Sequence, residues 1–227
     1  MTGAEVVFDG VGCRVDDTVI LHDVTLELRA RRTAVIGGNG SGKSTFARML
    51  NGLRTPTSGT ARVLGLDPSR DGPQLRRRVG FVFTNPEAQI LMPTPAEDLA
   101  LSLSGVPRAE RAERVAALLQ RFGLDGRGEQ PASTLSGGQR QLLAVAAVLA
   151  TEPDLVVADE PTTLLDLRNA RRIGDLLLGL DVPVVIVTHD LELAARCDEA
   201  VLFADGAVRA AGVPDDVIAC YRESVRA

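Results

Sequence analysis

The sequence predicts an α/β protein in which a parallel sheet is interrupted by a helical lobe. Short apolar strands alternate with helices in the first and last parts of the chain, which is typical of a parallel sheet with crossover helices. The stretch from about 85 to 150 is instead mostly helical in pattern. Apolar residues make up 45% and charged residues 24% of the 227 residues, so the composition indicates one large globular domain or one domain with two lobes.

Turn residues and apolar spacing define the individual elements in order along the chain. Turns are expected at Asp9-Gly10 and Asp16-Asp17, and Asp205-Gly206 is a hairpin signal. The predicted strands are 6–8, 19–21, 25–28, 33–36, 79–83, 155–158, 183–187, 201–203 and 207–210. The predicted helices are 44–50, 107–122, 137–150, 166–178 and 191–196.

Composition also excludes several function classes. The longest apolar run, 142–150, is far shorter than the roughly 20 residues of a membrane-spanning helix. The first ten residues carry two acids and no basic-then-apolar segment, so no signal peptide is expected. Cys13, Cys197 and Cys220 are scattered and lack metal-binding spacing, which favours a reduced cytosolic protein. A net charge of −5 and the absence of tryptophan disfavour a nucleic-acid partner.

A glycine-rich run follows the 33–36 strand and opens the 44–50 helix. It matches the pattern G-x-x-x-x-G-K-[ST], in which backbone N–H groups at a helix N-terminus cradle phosphates. Lys43 is the only lysine among 25 basic residues, which indicates that this position needs a compact ammonium group. We expect Lys43 to reach the β- and γ-phosphates and Ser44 to hold Mg²⁺. A chance match is the alternative, and the flanking strand and helix argue against it. The run is Gly37, Gly38, Asn39, Gly40, Ser41, Gly42, Lys43 and Ser44.

Two carboxylates end the apolar 155–158 strand. A strand tip beside the phosphate loop would let Asp159 orient Mg²⁺, and Glu160, pointing differently, would suit the attacking water. Alone, the pair is equally compatible with a solvated acidic turn. His189 follows the 183–187 strand and could bond to a γ-phosphate, although a helix-capping turn at 188–190 is the other interpretation.

Residues 135–139 read LSGGQ. The order of the phosphate loop, LSGGQ, an apolar strand ending in DE, PTTLLD and TH closely resembles the ATP-binding cassette (ABC) ATPases, over residues 6 to about 212. The resemblance implies a P-loop NTPase core with a mostly parallel sheet and an antiparallel N-terminal β subdomain, plus an inserted α-helical lobe. It implies a single domain over 1–227, with the core formed by 1–84 and 151–227 and the lobe by 85–150.

The same resemblance implies that two chains close around two ATP molecules, each with Mg²⁺. The signature segment would bind the γ-phosphate held by the opposite subunit, which suits the N–H groups and dipole of a helix start. Its residues are Leu135, Ser136, Gly137, Gly138 and Gln139. The resemblance also implies that Glu160 positions the attacking water or acts as general base, and that His189 contacts the γ-phosphate. Asp166 would couple the two sites, and Thr45 would bind ATP together with the loop. The implied metal-binding residues are Ser44, Thr84 and Asp159.

Two positions depart from the family pattern. The family usually stacks an aromatic residue on adenine, and Val15 stands at that place, so an aliphatic contact with adenine is expected. The family usually has a Gln that links Mg²⁺ and the water to the membrane partner, and Thr84 stands there. A Thr hydroxyl can still bond to a metal-bound water but is shorter, so weaker coupling through this position is expected.

Residues 85–98 resemble the NPxxQ…PTxxED stretch of energy-coupling-factor transporter ATPases, which serve vitamin and metal-ion uptake. Thr84 and the Met-Pro-Thr stretch favour the biotin-uptake type, with cobalt next. The implied protein is a homo- or heterodimer at the cytoplasmic face of the membrane. It would bind an integral membrane subunit through a groove at 85–105, and a vitamin- or ion-binding membrane subunit indirectly. The apolar residues there could instead be lobe core: Ile90, Leu91, Met92 and Leu99.

Other functions stay open at this point. The chain could serve an exporter or another kind of importer. A soluble cassette acting on DNA or ribosomes is disfavoured, because the sequence has neither a long coiled-coil insertion nor a second cassette and its net charge is negative. A phosphate-loop kinase is disfavoured by the LSGGQ segment.

Overall fold

The computed structural model describes residues 5–226, which form two sheets. The smaller, antiparallel sheet contains β1 (Val6–Val15), β2 (Thr18–Leu28) and β4 (Ser58–Val63) in the order β2-β1-β4. The larger sheet contains β3 (Arg32–Gly37), β5 (Val79–Val82), β6 (Leu155–Asp159), β7 (Val184–Val187), β8 (Glu199–Ala204) and β9 (Ala207–Gly212). Its order is β5-β6-β7-β3-β8-β9, and it is parallel except for the β8–β9 hairpin.

Eight helices accompany the sheets in the described part of the chain. They are α1 (Lys43–Leu50), α2 (Gly72–Arg78), α3 (Pro95–Ser102), α4 (Arg108–Arg121), α5 (Gly137–Leu149), α6 (Leu167–Leu178), α7 (Leu191–Ala194) and α8 (Pro214–Ser224). Helices α3, α4 and α5 lie between β5 and β6 in sequence. The predicted fold class is therefore confirmed. None of the helices in residues 5–226 is both long enough and apolar enough to cross a bilayer.

The parallel strands are buried on both faces. In β6, Val156 and Ala158 face a core that includes α5 and α6, whereas Leu155 and Val157 face a second core with α1 and the small sheet. Successive side chains of a strand point to opposite faces, so a strand covered on both sides is apolar throughout. This explains why these strands appear in the sequence as continuous apolar runs.

The N-terminal prediction was wrong in detail. Asp9-Gly10 is not a turn but an irregularity inside β1, where the register shifts and Gly10 adopts a φ of 56°. The predicted strands 19–21 and 25–28 are one strand, β2, which passes through Asp23 at a φ of 49°. Bulges of this kind keep a strand paired while bending it, and the acidic and glycine residues that allow them are the same ones that signal turns.

Candidate active site

Four strand ends meet at one edge of the large sheet. Strands β5, β6, β7 and β3 are neighbours and parallel, so their carboxyl ends lie at the same edge. Asp159 is the last residue of β6, and the segments that follow β5, β7 and β3 carry Thr84, His189 and the phosphate loop respectively. Ligands of open parallel sheets bind at this edge. The topology therefore collects residues that are up to 150 positions apart in sequence.

The phosphate loop needs glycine at two tight positions. A Cβ at Gly37, which has a φ of 145°, would overlap the carbonyl oxygen of Phe203. A Cβ at Gly42, which has a φ of 98°, would overlap the side chain of Leu21. Gly42 is also the N-cap of α1 and has no side chain with which to cap it. The helix start is therefore left for an anion to approach its backbone N–H groups.

Lys43 is buried within this loop, with a side chain that turns back over it. Its Nζ donates to the carbonyl oxygens of Gly37 and Gly38, both at 2.8 Å, and the residue is 6% exposed. Burial lowers the pKa of Lys43, while the nearby Glu160 and Asp159 carboxylates oppose that shift. The loop thus presents one desolvated ammonium group where phosphate oxygens are expected.

Ser44 and Asp159, the metal pair predicted from the sequence, lie in direct contact. The Ser44 hydroxyl donates to Oδ1 of Asp159 at 2.9 Å, and Asp159 is only 3% exposed. Burial raises the pKa of Asp159, more than the Ser44 hydrogen bond and the Arg48 charge lower it. A hydroxyl and one carboxylate fit Mg²⁺, which prefers hard oxygen ligands and completes its shell with waters and substrate phosphates. No cluster of three metal-ligating acids, histidines or cysteines occurs in residues 5–226.

Glu160 lies one residue beyond the strand and turns away from Asp159. Its backbone adopts a φ of 52°, which is uncommon for a residue with a side chain and marks local strain. Oε2 accepts from the Thr163 hydroxyl at 2.9 Å and lies 2.7 Å from Nδ1 of His189. If Nδ1 carries the proton, the imidazole donates to the carboxylate. Both hydrogen bonds use Oε2, so within residues 5–226 Oε1 has no hydrogen-bond partner.

Part of this cluster lines one open cavity of about 440 Å³, whereas Lys43, Ser44 and Asp159 are not among its lining residues. The structure therefore brings together the loop, Thr84, Glu160 and His189, as the sequence predicted. Thr84 donates to the backbone oxygen of Asp159 at 2.8 Å. The lining residues are Gly37, Gly38, Asn39, Thr84, Glu160, Thr163, His189 and Tyr221.

The signature segment does not line this cavity. Ser136 is the N-cap of α5 and forms a capping box with Gln139: Ser136 Oγ accepts from the Gln139 N–H at 3.3 Å, and Gln139 Oε1 accepts from the Ser136 N–H at 2.9 Å. Gly138 packs so closely on Asn169 that a Cβ would lie 2.5 Å from its amide. Asn169 in turn donates to Asp166, the N-cap of α6, at 2.7 Å. The starts of α5 and α6 thus form one packed unit.

Comparison with known proteins decides the family. A family model described as "ABC transporter" matches residues 21–163, more than half of the chain. The chain belongs to the ABC transporter family. This ABC ATPase is 39% identical over 218 residues to the "Biotin transport ATP-binding protein BioM" of Rhizobium etli, covering 95% of this chain and 97% of that one. It is 37% identical over 214 residues to the "Energy-coupling factor transporter ATP-binding protein EcfA1" of Lacticaseibacillus paracasei, covering 91% and 77%.

Two solved structures share the fold of this ABC ATPase. One is cbiO1 from Clostridium perfringens, described as part of the ABC transporter complex cbiONQ, with a TM-score of 0.85, 30% identity and coverage of 99% and 94%. The other is a dimeric ATP-binding cassette in a post-hydrolysis state bound to ADP and Pi, with a TM-score of 0.79, 29% identity and coverage of 92% and 98%. The predicted resemblance is confirmed, and the chain is an ATP-hydrolysing enzyme that uses Mg²⁺.

Sequence reasoning missed two contributors to the ABC ATPase site. Tyr221 comes from α8, which was not predicted, although Pro214 followed by two acids is a helix-start signal. Thr163 was part of the PTTLLD motif, but only the fold shows that its hydroxyl reaches Glu160. Val15, predicted at the adenine, ends β1 half-buried and does not line this cavity. Its contact with adenine stays a prediction.

Proposed function

We propose that this chain is the ATP-hydrolysing subunit of an energy-coupling-factor importer, with biotin as the favoured cargo and cobalt next. The observation that carries the ATPase assignment is the cluster in which Thr163 and His189 hold Glu160 beside the Ser44–Asp159 pair. The import assignment is supported by the NPxxQ…PTxxED stretch and by relatives named for biotin transport and energy coupling.

The cluster suits hydrolysis by an attacking water. Lys43 and the N-terminus of α1 bind the phosphates, and Ser44 and Asp159 hold Mg²⁺, which would offset charge on the phosphate oxygens. Oε1 of Glu160 accepts a hydrogen bond from the water and aligns it with the γ-phosphate. A positioned carboxylate of this kind contributes about 10²–10⁴ in rate. His189 contacts the γ-phosphate from the neighbouring strand end.

A second chain completes the site in this proposal. The signature residues do not line the cavity of their own chain, and Ser136 and Gly137 lie at the surface at the start of α5. A helix start offers N–H groups to an anion. We therefore place the signature segment against the γ-phosphate held by the opposite subunit, in a homo- or heterodimer. The dimeric cassette bound to ADP and Pi supports this arrangement.

A groove between the large sheet and the lobe is the proposed seat of the membrane subunit. Three exposed leucines, Leu53, Leu91 and Leu101, stand at a cavity of about 300 Å³, together with half-buried Phe83. An exposed apolar cluster of this kind indicates a docking surface, and a short apolar helix would fit it. In this proposal, docking of the membrane subunit in the groove holds the chain at the cytoplasmic face of the membrane. Leu99 is instead fully buried, so for that residue the interpretation as lobe core is correct.

The decisive experiment for the ATPase assignment is Glu160→Gln. ATP hydrolysis should fall at least about 100-fold, because a neutral amide is a much weaker base and hydrogen-bond acceptor for the water than a carboxylate. ATP binding should persist, and an ATP-bound dimer should accumulate, as measured by light scattering after size-exclusion chromatography. Glu113→Gln, on the exposed face of α4, is the matched control and should behave like the parent. Normal turnover in Glu160→Gln would remove Glu160 from its role.

Cargo is tested by uptake. A strain lacking this chain should lose accumulation of labelled biotin and regain it with the parent chain but not with Glu160→Gln. Loss of cobalt uptake with intact biotin uptake would assign cobalt instead. Purification from membranes, with identification of the bound subunits, names the partners.

A further inference from the structure

Gln89 closes the open edge of the large sheet. Strand β5 is an edge strand, and edge strands expose unpaired N–H and C=O groups. The Gln89 amide donates to the carbonyl oxygen of Phe81 and accepts from the N–H of Phe83, both at 3.2 Å. A residue in a neighbouring parallel strand bonds to residues i and i+2 in the same way. The side chain therefore substitutes for a missing strand.

Asp98 anchors the chain only two residues later. Its Oδ1 accepts from the N–H groups of Leu91 and Met92 at 2.8 and 3.1 Å, and the residue is 4% exposed at the start of α3. Helix α3 belongs to the lobe and is itself fixed by a capping box between Thr94 and Glu97. The segment thus passes from an anchor on the sheet to an anchor on the lobe across a single residue, Ile90.

The other end of the segment begins in the nucleotide site. Thr84 donates to the backbone oxygen of Asp159, whose carboxylate bonds to Ser44. Asn85 then caps a 3₁₀ turn at Pro86–Ala88 by accepting from Glu87 N–H. Hydrogen bonds therefore hold the segment from the metal pair to Gln89. Beyond Ile90 the chain presents Leu91, which is 73% exposed, at the rim of the groove.

We infer that Gln89 is a positioning residue that carries changes at the nucleotide site to Leu91 in the groove, with Asp98 as the anchor on the lobe side. The inference rests on the proposed function, because it assigns the route between ATP and the membrane partner. It also gives a physical role to the NPxxQ…PTxxED stretch: Asn85 shapes the turn, Gln89 clamps it to β5, Thr94 and Glu97 start α3, and Asp98 holds the backbone at Leu91. Gln89 and Asp98 both line the groove, so a docked helix would contact both anchors.

The test places an environment-sensitive fluorophore on Leu91→Cys in a Cys220→Ser background, since Cys13 and Cys197 are buried. The emission is recorded with and without Mg²⁺ and a non-hydrolysable ATP analogue. The parent should respond to the analogue. Gln89→Met, which keeps the size of the side chain but removes both hydrogen bonds, should reduce the response at least fivefold. Its affinity for a fluorescent ATP analogue and its melting temperature should stay close to those of the parent.

Two further variants make the test specific. Gln89→Glu keeps an acceptor but loses the donor to Phe81, so it should also lose the response. Gln120→Met, an exposed glutamine of α4, should keep it. An unchanged response in Gln89→Met, or no response in a parent that still hydrolyses ATP, overturns the inference. A parent that neither binds nor hydrolyses ATP refutes the proposed function itself.

Discussion

The buried Asp159 carboxylate predicts a conflict between stability and function. Burial raises its pKa above the ordinary value despite the Ser44 hydrogen bond. An acid whose pKa is higher in the folded state destabilises the fold wherever it is charged in both states. The penalty is therefore present at pH 7 and disappears as the pH falls through the raised pKa and below the unfolded value. Asp159→Asn should remove this penalty.

The size of the effect follows from the site. The Asn oxygen can still accept from Ser44, and Lys43 keeps Glu160, the larger of the two carboxylate effects on its pKa. We expect a gain on the order of 1 kcal/mol, within the range of about 0.5–2 kcal/mol that single stabilising substitutions commonly give. For a chain of this length, about 1 kcal/mol corresponds to a rise of about 2–4 °C in melting temperature. Asp159→Asn should thus melt a few degrees above the parent in nucleotide-free, EDTA-containing buffer at pH 7.

Nucleotide should stabilise the parent more than the variant. At 100 times its dissociation constant, a ligand stabilises by about 2.7 kcal/mol, and a tenfold weaker dissociation constant cuts this to about 1.4 kcal/mol. With Mg²⁺ and a non-hydrolysable ATP analogue, the melting temperature of the parent should rise by more than that of Asp159→Asn. Thermal unfolding followed by circular dichroism measures both values, and exposed Asp125→Asn is the control. If the variant melts below the parent at pH 7 without nucleotide, the argument from burial is refuted. It is also refuted if the difference in melting temperature between variant and parent grows as the pH is lowered.

Three more substitutions test neighbouring parts of the site. Lys43→Arg should weaken ATP binding at least about tenfold in a fluorescent-nucleotide titration, because the planar guanidinium cannot enter the space between the loop carbonyls; parent affinity would contradict this. Gly138→Ala should lower the free energy of unfolding in urea by about 1–3 kcal/mol, because the new methyl group clashes with Asn169. Adding Asn169→Ala should restore most of this loss, whereas additive losses in the double variant would exclude the clash. Thr84→Gln should change the rate of ATP hydrolysis or of transport, since it lengthens the side chain beside Asp159. If both rates stay unchanged, the prediction that Thr84 couples the metal site to the membrane partner more weakly than a Gln is refuted.

The candidate site could be predicted from the sequence more completely than the strands and helices around it. The spacing of glycines, lysine and serine in the phosphate loop has few alternative uses. The loop pattern also decided the interpretation of Asp159, because the acidic pair alone fits a solvated turn equally well. Strand β4 could not, because Ser58–Val63 buries only Ala61 and Val63 and depends on pairing with distant β1. Helix α2 was missed for a related reason, since only Gly72 and Leu75 are buried in it. Short elements stabilised by distant partners leave little periodicity in their own residues.

Hydrogen bonds made by individual side chains could not be predicted from the sequence pattern either. The NPxxQ spacing was visible, but nothing in it indicates that the Gln89 amide bonds to β5. That contact depends on β5 being an edge strand, which follows from strand order and not from the sequence of β5. Thr163 is a similar case: its partner Glu160 is three residues away, yet the contact exists because Glu160 adopts a positive φ.

The hydroxyl groups of the site are polarised by the chain itself. Ser44 donates to a carboxylate and Thr84 donates to a carbonyl, so each hydroxyl proton is used inside the protein and the oxygen lone pairs stay available as acceptors. Lone pairs suit a cation or a metal-bound water. Ser136 does the opposite: its oxygen accepts from Gln139 N–H, which leaves its own proton free to donate outward. A free hydroxyl proton beside a helix N-terminus suits an anion. In the proposed dimer, these internal hydrogen bonds prepare the first two hydroxyls for Mg²⁺ and the third for phosphate before any ligand arrives, as a nucleotide shared between two chains would require.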